Sequence, residues 1–203
     1  MNHIIGDVHG CFYTLEKLIQ RVQDLDDKAY FIFIGDYVDR GQLNKEVVEY
    51  AIDLQNKGNA LCLRGNHDNV IDWILNDDGE KDGLRVGHYK GNISEYVRDR
   101  PTFDNVIPWW RVNGLDETLA SYGATQALFD SNEPVDPNRI AQEFREKVPQ
   151  SHKDFFRNLP LFWENETHFA CHAFFRPNEE LPDIFFLPVD MMKHFGQDFL
   201  HII

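Results

Sequence analysis

The chain has 203 residues, of which 34 are acidic and 20 are lysine or arginine, so its formal net charge is −14. This acidic balance argues against a nucleic-acid-binding protein, because affinity for a phosphate backbone requires clustered positive charge. Hydrophobic residues make up 42% and charged residues 27%, which argues against disorder, and no apolar run reaches the roughly 20 residues of a membrane span.

The amino terminus predicts a cytoplasmic location. Its first residues, MNHIIGD, lack the basic start and the apolar core of a secretory signal. The three cysteines are an odd number without a C-x-x-C pair, which is typical of reduced thiols rather than of a disulfide framework or a structural zinc site. We therefore expect an intracellular protein with no membrane partner.

The first third of the chain alternates short apolar runs with segments of helical periodicity. The runs cover residues 4–5, 30–34 and 60–63, and each is followed by apolar residues that recur every three or four positions. This βαβαβα order predicts a largely parallel sheet whose strands are buried on both faces.

A mostly helical lobe, inserted over the sheet, is expected from about residue 76 to 160. Charged residues, glycine and proline dominate residues 77–108, and helical periodicity returns at Ile140 and Phe144, behind Asp136 as a cap and Pro137 in the first turn. Two last strands are predicted at residues 161–163 and 167–172. The chain is interpreted as one domain that carries this insertion.

Polar side chains follow four of the predicted strands. They are Asp7 and His9, Asp36 and Asp39, Asn66 and His67, and finally His172. Any one of them alone would be ordinary turn chemistry or a surface histidine. Their repetition at successive strand ends favours a site instead, because ligands of open α/β sheets bind beyond the carboxyl ends of the strands.

The types of these side chains indicate metal ions. Carboxylates and imidazoles without thiolates suit manganese, iron or zinc. Two ions about 3.5 to 4 Å apart require a shared ligand. Asp36, which follows the middle apolar run, is the natural candidate for that bridging position.

Three motifs resemble the signature of the phosphoprotein phosphatase family of metallophosphoesterases. They are GDVHG at residues 6–10, GDYVDRG at 35–41 and GNHD at 65–68. The segments ETLASYG at 117–123 and FACHA at 169–173 resemble the bacterial branch, which includes serine/threonine protein phosphatases and symmetrical diadenosine tetraphosphate hydrolases. The resemblance implies an α/β fold of the calcineurin-like type, a β-sandwich flanked by helices with a helical inserted lobe.

The resemblance also implies a dinuclear metal centre. Two divalent ions, with manganese first and iron or zinc as alternatives, would be held by Asp7, His9, Asp36, Asn66 and His172. Asp7 and His9 would hold the first ion, Asp36 would bridge, and Asn66 and His172 would hold the second. A hydroxide that bridges the ions would attack phosphorus directly, without a covalent enzyme intermediate.

Other matched residues would act on the substrate. His67 would protonate the leaving oxygen, and Asp39 would orient the His67 ring. Arg40 would bind phosphate oxygens as a bidentate fork. Arg176, the only arginine after His172, is the candidate for a second phosphate-binding arginine. The tryptophans at 109–110 could line a substrate groove, but core packing is the favoured interpretation.

The end of the sequence departs from the family pattern. Phe174 stands where the family has a glycine after His-Ala. The family has a further metal-binding Gly-His motif, followed by more strands, and the sequence ends at Ile203 without that motif. We therefore expect a fold without the C-terminal strands and a weaker second metal site. The apolar residues 199–203 predict self-association through an unpaired sheet edge.

Three functions are compatible with these features. The leading expectation is hydrolysis of phosphoserine or phosphothreonine in proteins, or of a small phosphoester. The alternatives are a symmetrical dinucleoside polyphosphate hydrolase and a weakly active or inactive pseudo-phosphatase. Metal content together with turnover of an aryl phosphate distinguishes the pseudo-phosphatase, and a comparison of a phosphopeptide with a dinucleotide distinguishes the other two.

Overall fold

A computed structural model describes residues 1–76, 85–87, 93–95, 102–125 and 136–172 of the chain. The first half folds as three strand–helix units. Their bounds are β1 (Asn2–Ile5), α1 (Phe12–Leu25), β2 (Tyr30–Phe33), α2 (Asn44–Asn56), β3 (Ala60–Cys62) and α3 (Asn66–Asn76). The strands pair in parallel in the order β1-β2-β3, so the predicted parallel sheet is confirmed.

The parallel sheet separates two hydrophobic clusters, because successive side chains of a strand point to opposite faces. Phe31 and Phe33 belong to the main core, which also contains the inward faces of α1, α2 and α3. Ile32 lies on the other face and packs with Leu63 and Ala170 in a smaller cluster. β2 is therefore buried on both faces, as expected for a central parallel strand.

The described residues after α3 form two hairpins and four helices. Their bounds are β4 (Arg85–Gly87), β5 (Ile93–Glu95), α4 (Phe103–Arg111), α5 (Leu115–Ser121), α6 (Pro137–Lys147), α7 (Gln150–Asn158), β6 (Phe162–Glu164) and β7 (Phe169–Cys171). β4 pairs antiparallel with β5, and β6 pairs antiparallel with β7. The helices at 103–158 share the main core with the parallel sheet. The limits of an inserted lobe at 76–160 remain a prediction.

Two of these elements show how local sequence sets their bounds. The Asp136 side chain accepts a hydrogen bond from the Asn138 N–H at 2.9 Å, which caps α6 with Pro137 in its first turn, as predicted. The strand expected at 167–172 is shorter, because the Asn165 side chain accepts the N–H groups of Thr167 and His168 at 2.9 and 2.8 Å. This Asx turn ends the hairpin loop, and β7 begins after it.

Helix α4 forms although Pro108 lies in its interior. A proline there removes a backbone hydrogen bond and disfavours the helix. The residues Phe103, Val106, Ile107 and Trp110 follow helical spacing and are all buried. Their burial outweighs the proline. None of the described helices has the length and apolar character needed to span a membrane.

Candidate active site

The loops that follow β1, β2 and β3 contact one another at the carboxyl edge of the parallel sheet. The N–H groups of Val8 and His9 both donate to the Asp36 carbonyl, at 3.0 and 2.9 Å. Gly35 has a φ of 109° and lies so close to Gly65 that a Cβ at residue 35 would overlap the backbone of residue 65. The backbones of the three motif loops therefore lie in direct contact.

Asp36 lies at the centre of the five residues predicted to bind metal. Its Oδ2 atom is 3.6 Å from His9 Nε2 and 3.4 Å from His172 Nε2. Asp7 Oδ2 lies 3.8 Å from His9 Nε2, and Asn66 Oδ1 lies 2.9 Å from His172 Nε2. The structure thus brings all five side chains together, with Asp36 between the His9 side and the His172 side.

The pKa values in this cluster reflect its concentrated negative charge. Burial raises the pKa of Asp36, but a hydrogen bond and charge from His172 and charge from His67 outweigh burial, so the net pKa is below its ordinary value. Burial lowers the pKa of His172, yet its hydrogen bond to Asp36 and the charges of Asp36, Asp68 and Asp7 raise that pKa to about 9. The cluster therefore favours a positive charge beside Asp36.

The two histidines of the cluster are oriented as metal ligands are. Nδ1 of His9 lies 2.6 Å from the Val38 carbonyl, and Nδ1 of His172 lies 2.9 Å from the Ile34 carbonyl. Since a carbonyl only accepts, each Nδ1 carries hydrogen, and Nε2 points toward Asp36. Among the described residues, the buried Nε2 of His9 has no hydrogen-bond partner. A metal ion would use that lone pair, so these residues fit a divalent cation.

The ring of His67 has different neighbours. It also lies near His9 and Asp36, in a group whose potential ligand atoms are within 4.8 Å of one another. However, Nδ1 of His67 is 2.7 Å from Asp39 Oδ2, and Arg40 Nη2 is 3.3 Å from its Nε2. Because arginine can only donate, Nε2 accepts and Nδ1 donates to Asp39. The structure thus pairs His67 with Asp39, as the sequence predicts.

Asp39 has two further partners that the sequence did not indicate. Trp110 Nε1 donates to Asp39 Oδ2 at 2.7 Å, and Thr118 Oγ1 donates to Asp39 Oδ1 at 2.5 Å. Trp110 was interpreted as a packing residue, and it is buried, but it also donates this hydrogen bond. Thr118 lies within the ETLASYG segment that resembles the bacterial branch, and this resemblance was the one feature of the sequence that pointed to a role for Thr118.

Asp68 is another residue whose role the sequence did not indicate. Its carboxylate accepts the N–H groups of Asp36, Tyr37 and Gly65 at 2.7, 3.0 and 2.8 Å. Burial, with the nearby Asp36 charge, raises the pKa of Asp68 to about 7. Its place in the GNHD motif was the signal that could have identified it. Asp68 connects the loop after β2 to the loop after β3 and so places Asp36.

The backbone of the site is strained. His9, Asp36, Asp39 and Arg40 have φ values of 42°, 57°, 69° and 66°. Residues other than glycine rarely adopt this left-handed conformation, which costs about 1–3 kcal/mol at each position. The strain coincides with the side chains that the sequence selects as functional.

The remaining sequence predictions concern the last part of the chain. Arg176 as a phosphate ligand, the altered loop at Phe174 and the associating edge at 199–203 all lie outside the described residues. They stay predictions.

Comparison with known proteins adds a family and several relatives. The profile described as "Calcineurin-like phosphoesterase" matches residues 3–194. The symmetrical bis(5'-nucleosyl)-tetraphosphatase of Hamiltonella defensa subsp. Acyrthosiphon pisum (strain 5AT) is 32% identical over 176 residues, which are 85% of this chain and 58% of that protein. Serine/threonine-protein phosphatase 2B catalytic subunit A1 of Saccharomyces cerevisiae is 43% identical over 67 residues, which are 32% of this chain and 12% of that protein.

Among solved structures, one described as a putative diadenosine tetraphosphatase aligns with 93% of this chain and 53% of its own, at 19% identity and a TM-score of 0.48. The chain spans 58% of the length of the Hamiltonella relative.

Proposed function

Because the chain belongs to the calcineurin-like phosphoesterase family, whose mixed α/β fold it has, we propose that it hydrolyses symmetrical dinucleoside polyphosphates with two divalent cations. The observation that carries the substrate class is the 32% identity to a symmetrical tetraphosphatase across 85% of the chain. This proposal reverses the order expected from the motifs alone, in which a protein phosphatase came first.

The proposed metal ligands divide between two ions. Asp7, His9 and Asp36 would hold one ion, and Asp36, Asn66 and His172 would hold the other. When bound, the ions would activate water and neutralise phosphate charge. Manganese is proposed first because mixed oxygen and imidazole ligands suit it, and iron or zinc would fit the same donors.

The residues next to the metal ligands would handle the substrate and its proton. Arg40 would bind phosphate oxygens, and this would release Nε2 of His67, which Arg40 Nη2 approaches to 3.3 Å. Nε2 of His67 would then take up a proton from water, and Asp39 would stabilise the imidazolium. The imidazolium would give that Nε2 proton to the leaving oxygen as the P–O bond breaks, and His67 would return to its neutral form. In a symmetrical tetraphosphate the central anhydride bond breaks, and two nucleoside diphosphates form.

A phosphoprotein is the second candidate substrate. The yeast phosphatase 2B subunit is 43% identical over 67 residues, although they are only 32% of the chain. In addition, an alkoxide is a poorer leaving group than a diphosphate and depends more on proton donation. The His67–Asp39 pair would therefore contribute more to hydrolysis of a phosphoserine than to cleavage of an anhydride.

One comparison tests these alternatives. The 203-residue chain is assayed with manganese on a symmetrical dinucleoside tetraphosphate and on a phosphoserine peptide, with chromatography of nucleotides and measurement of free phosphate. We expect a larger kcat/KM for the dinucleotide and nucleoside diphosphates as the only nucleotide products. A larger value for the peptide would instead identify a protein phosphatase. Metal binding without turnover of either substrate would identify a pseudo-phosphatase, and Asp36→Asn is the inactive control.

A further inference from the structure

The corner between helices α4 and α5 packs directly against the loop that carries Asp39 and Arg40. Arg111 and Asp116 form a bidentate ion pair across this corner, with N–O distances of 2.7 and 2.8 Å. The Gly114 carbonyl accepts the Arg40 N–H at 3.3 Å. Gly114 has a φ of 103°, and a Cβ there would overlap the Arg40 backbone. The corner is thus held in shape and fits closely against residue 40.

The same corner supplies both additional partners of Asp39. Trp110 comes from α4 and Thr118 from α5, and both are buried. The Thr118 hydroxyl accepts the Asp39 N–H at 2.9 Å while donating to Oδ1 at 2.5 Å. Because its oxygen already accepts from the main chain, its hydrogen is directed at the carboxylate. Thr118 therefore fixes both the backbone and the side chain of Asp39.

Trp110 restrains the other carboxylate oxygen and the ring beyond it. Its Nε1–H donates to Oδ2 of Asp39, the oxygen that also accepts from His67 Nδ1, and both distances are 2.7 Å. The Trp110 and His67 rings meet edge to face with centroids 4.7 Å apart. With three donors around it, Asp39 acts only as an acceptor, as an ionised carboxylate does.

We propose that Trp110 and Thr118 are positioning residues that act through Asp39 to aim His67 at the leaving oxygen. This inference rests on the proposed function, because it assigns them to the proton-donation step of that reaction. The hydrogen bonds that Trp110 Nε1 and Thr118 Oγ1 donate both go to Asp39, which is not one of the five candidate metal ligands. Their loss should therefore slow departure of the leaving group and leave metal binding intact.

The test compares leaving groups on the full chain with manganese. Trp110→Phe keeps an aromatic ring but removes Nε1–H together with part of the side-chain volume, and Thr118→Val keeps the volume but removes the hydroxyl. We expect kcat for phenyl phosphate, a poor leaving group, to fall on the order of tenfold or more in each variant. For p-nitrophenyl phosphate, whose leaving group needs little protonation, kcat should fall much less, with KM and metal content unchanged.

Two matched variants distinguish positioning from loss of packing. Thr118→Ser retains the hydroxyl, and Trp73→Phe makes the same chemical change at a buried tryptophan that packs on Phe103 with ring centroids 4.9 Å apart. Both should keep the wild-type ratio of the two rates. Equal losses on both aryl phosphates, or no loss on phenyl phosphate, would overturn the proposal.

A second measurement does not depend on turnover. The His67 Nδ1–H, bonded to a carboxylate, should give a strongly downfield proton resonance in the NMR spectrum, absent from a His67→Asn sample. This resonance should shift or broaden in Trp110→Phe and Thr118→Val but persist in Trp73→Phe. An unchanged resonance in both test variants would contradict the inference. If the wild-type chain hydrolyses no phosphoester, the proposed function fails, and this resonance still decides whether Trp110 and Thr118 position His67.

Discussion

His67 is held in one tautomer by two residues of different chemistry. Asp39 accepts from Nδ1, and Arg40, which can only donate, approaches Nε2. At the scale of single residues, the site therefore separates two kinds of imidazole. His9 and His172 have Nδ1 on a backbone carbonyl and Nε2 toward Asp36, whereas the Nδ1 of His67 is bonded to a carboxylate. The first arrangement suits a metal ligand, and the second suits a proton donor.

Replacement of His67 by asparagine tests that separation. We expect His67→Asn to lower kcat by about 10²- to 10⁴-fold, the usual contribution of a general acid, and to leave metal content unchanged. His168→Asn, an exposed histidine in the β6–β7 turn, should retain full activity. Loss of metal from His67→Asn would instead make His67 a ligand, consistent with its 3.9 Å distance to Asp36 Oδ2.

Helix α7 is attached to the end of β3 through one buried arginine. Arg64 donates to Asp72 Oδ2 and Asn69 Oδ1, both at 2.9 Å, and to the Phe156 and Arg157 carbonyls at 2.6 and 3.0 Å. At the scale of elements, these bonds connect β3 and α3 to α7 directly beside the GNHD motif. The arginine thus holds the loop that carries the GNHD motif against a helix whose residue Phe156 lies 92 positions later in the chain.

Removal of that arginine should destabilise the whole domain. Arg64→Met takes the nearest cation from buried Asp72, which keeps only Arg157 Nε at 3.8 Å and the Asn76 amide at 2.6 Å, and it also removes the donor to the Phe156 and Arg157 carbonyls. We therefore expect a loss of about 3 kcal/mol in the free energy of unfolding. Chemical denaturation measures this change. The double variant Arg64→Met with Asp72→Asn should recover part of the stability, because the buried charge that lost its nearest cation is gone. A double variant less stable than the single one would contradict the explanation.

A second contact between elements gives a pH dependence. His152 of α7 is buried, and its Nδ1 lies 2.8 Å from the Tyr122 hydroxyl at the end of α5. Burial lowers the pKa of His152 below its ordinary value of 6.5. The unfolded chain therefore binds the proton more tightly, so the stabilisation from neutral His152 is present above about pH 6.5 and is lost as the pH falls toward the lowered value.

Unfolding at pH 7.5 and pH 5.5 checks this dependence. The wild-type chain should lose more stability between these two pH values than His152→Asn does. His9 and His172 titrate in both proteins, so their contributions cancel in the difference. Equal losses in the two proteins would show that His152 is not responsible.

Local patterns predicted part of this architecture and could not predict the rest. The strand–helix units follow from periodicities within 15 or so residues, and the Asp136 cap lies next to the helix it begins. The partners of Asp39 lie 71 and 79 residues away, in Trp110 and Thr118, and no periodicity encodes such contacts. The ligand residues were predictable because each lies just after a strand, whereas the side chains that support Asp39 come from helices elsewhere.

At the scale of the whole molecule, the net charge of −14 coexists with a proposed anionic substrate. Two cations would reverse the local charge where the carboxylates of Asp7 and Asp36 converge. The proposed first site has both of these carboxylates, while the second has Asp36 with the Asn66 amide and with His172, which would have to lose a proton to bind an ion as a neutral imidazole. Charge alone therefore favours tighter binding at the first site.

Metal titration tests this inequality. Calorimetry with manganese should give two unequal affinities, and His172→Asn should remove the weaker one. Added metal should also raise Tm, since ligand at 100 times Kd stabilises a folded protein by about 2.7 kcal/mol. Asp36→Asn should lose both effects because the residue is shared. Two equally tight sites would contradict the assignment.

The left-handed backbone at Arg40 has a consequence for any attempt to evolve this protein in the laboratory. Arg40 is exposed, with a φ of 66°, so glycine would relieve strain there without leaving a cavity. A library selected for heat resistance alone should accumulate Arg40→Gly, which we expect to raise Tm while it weakens substrate binding. Sequencing of such a library, with KM measured on the enriched clones, would show whether residue 40 can favour thermal stability or substrate binding but not both.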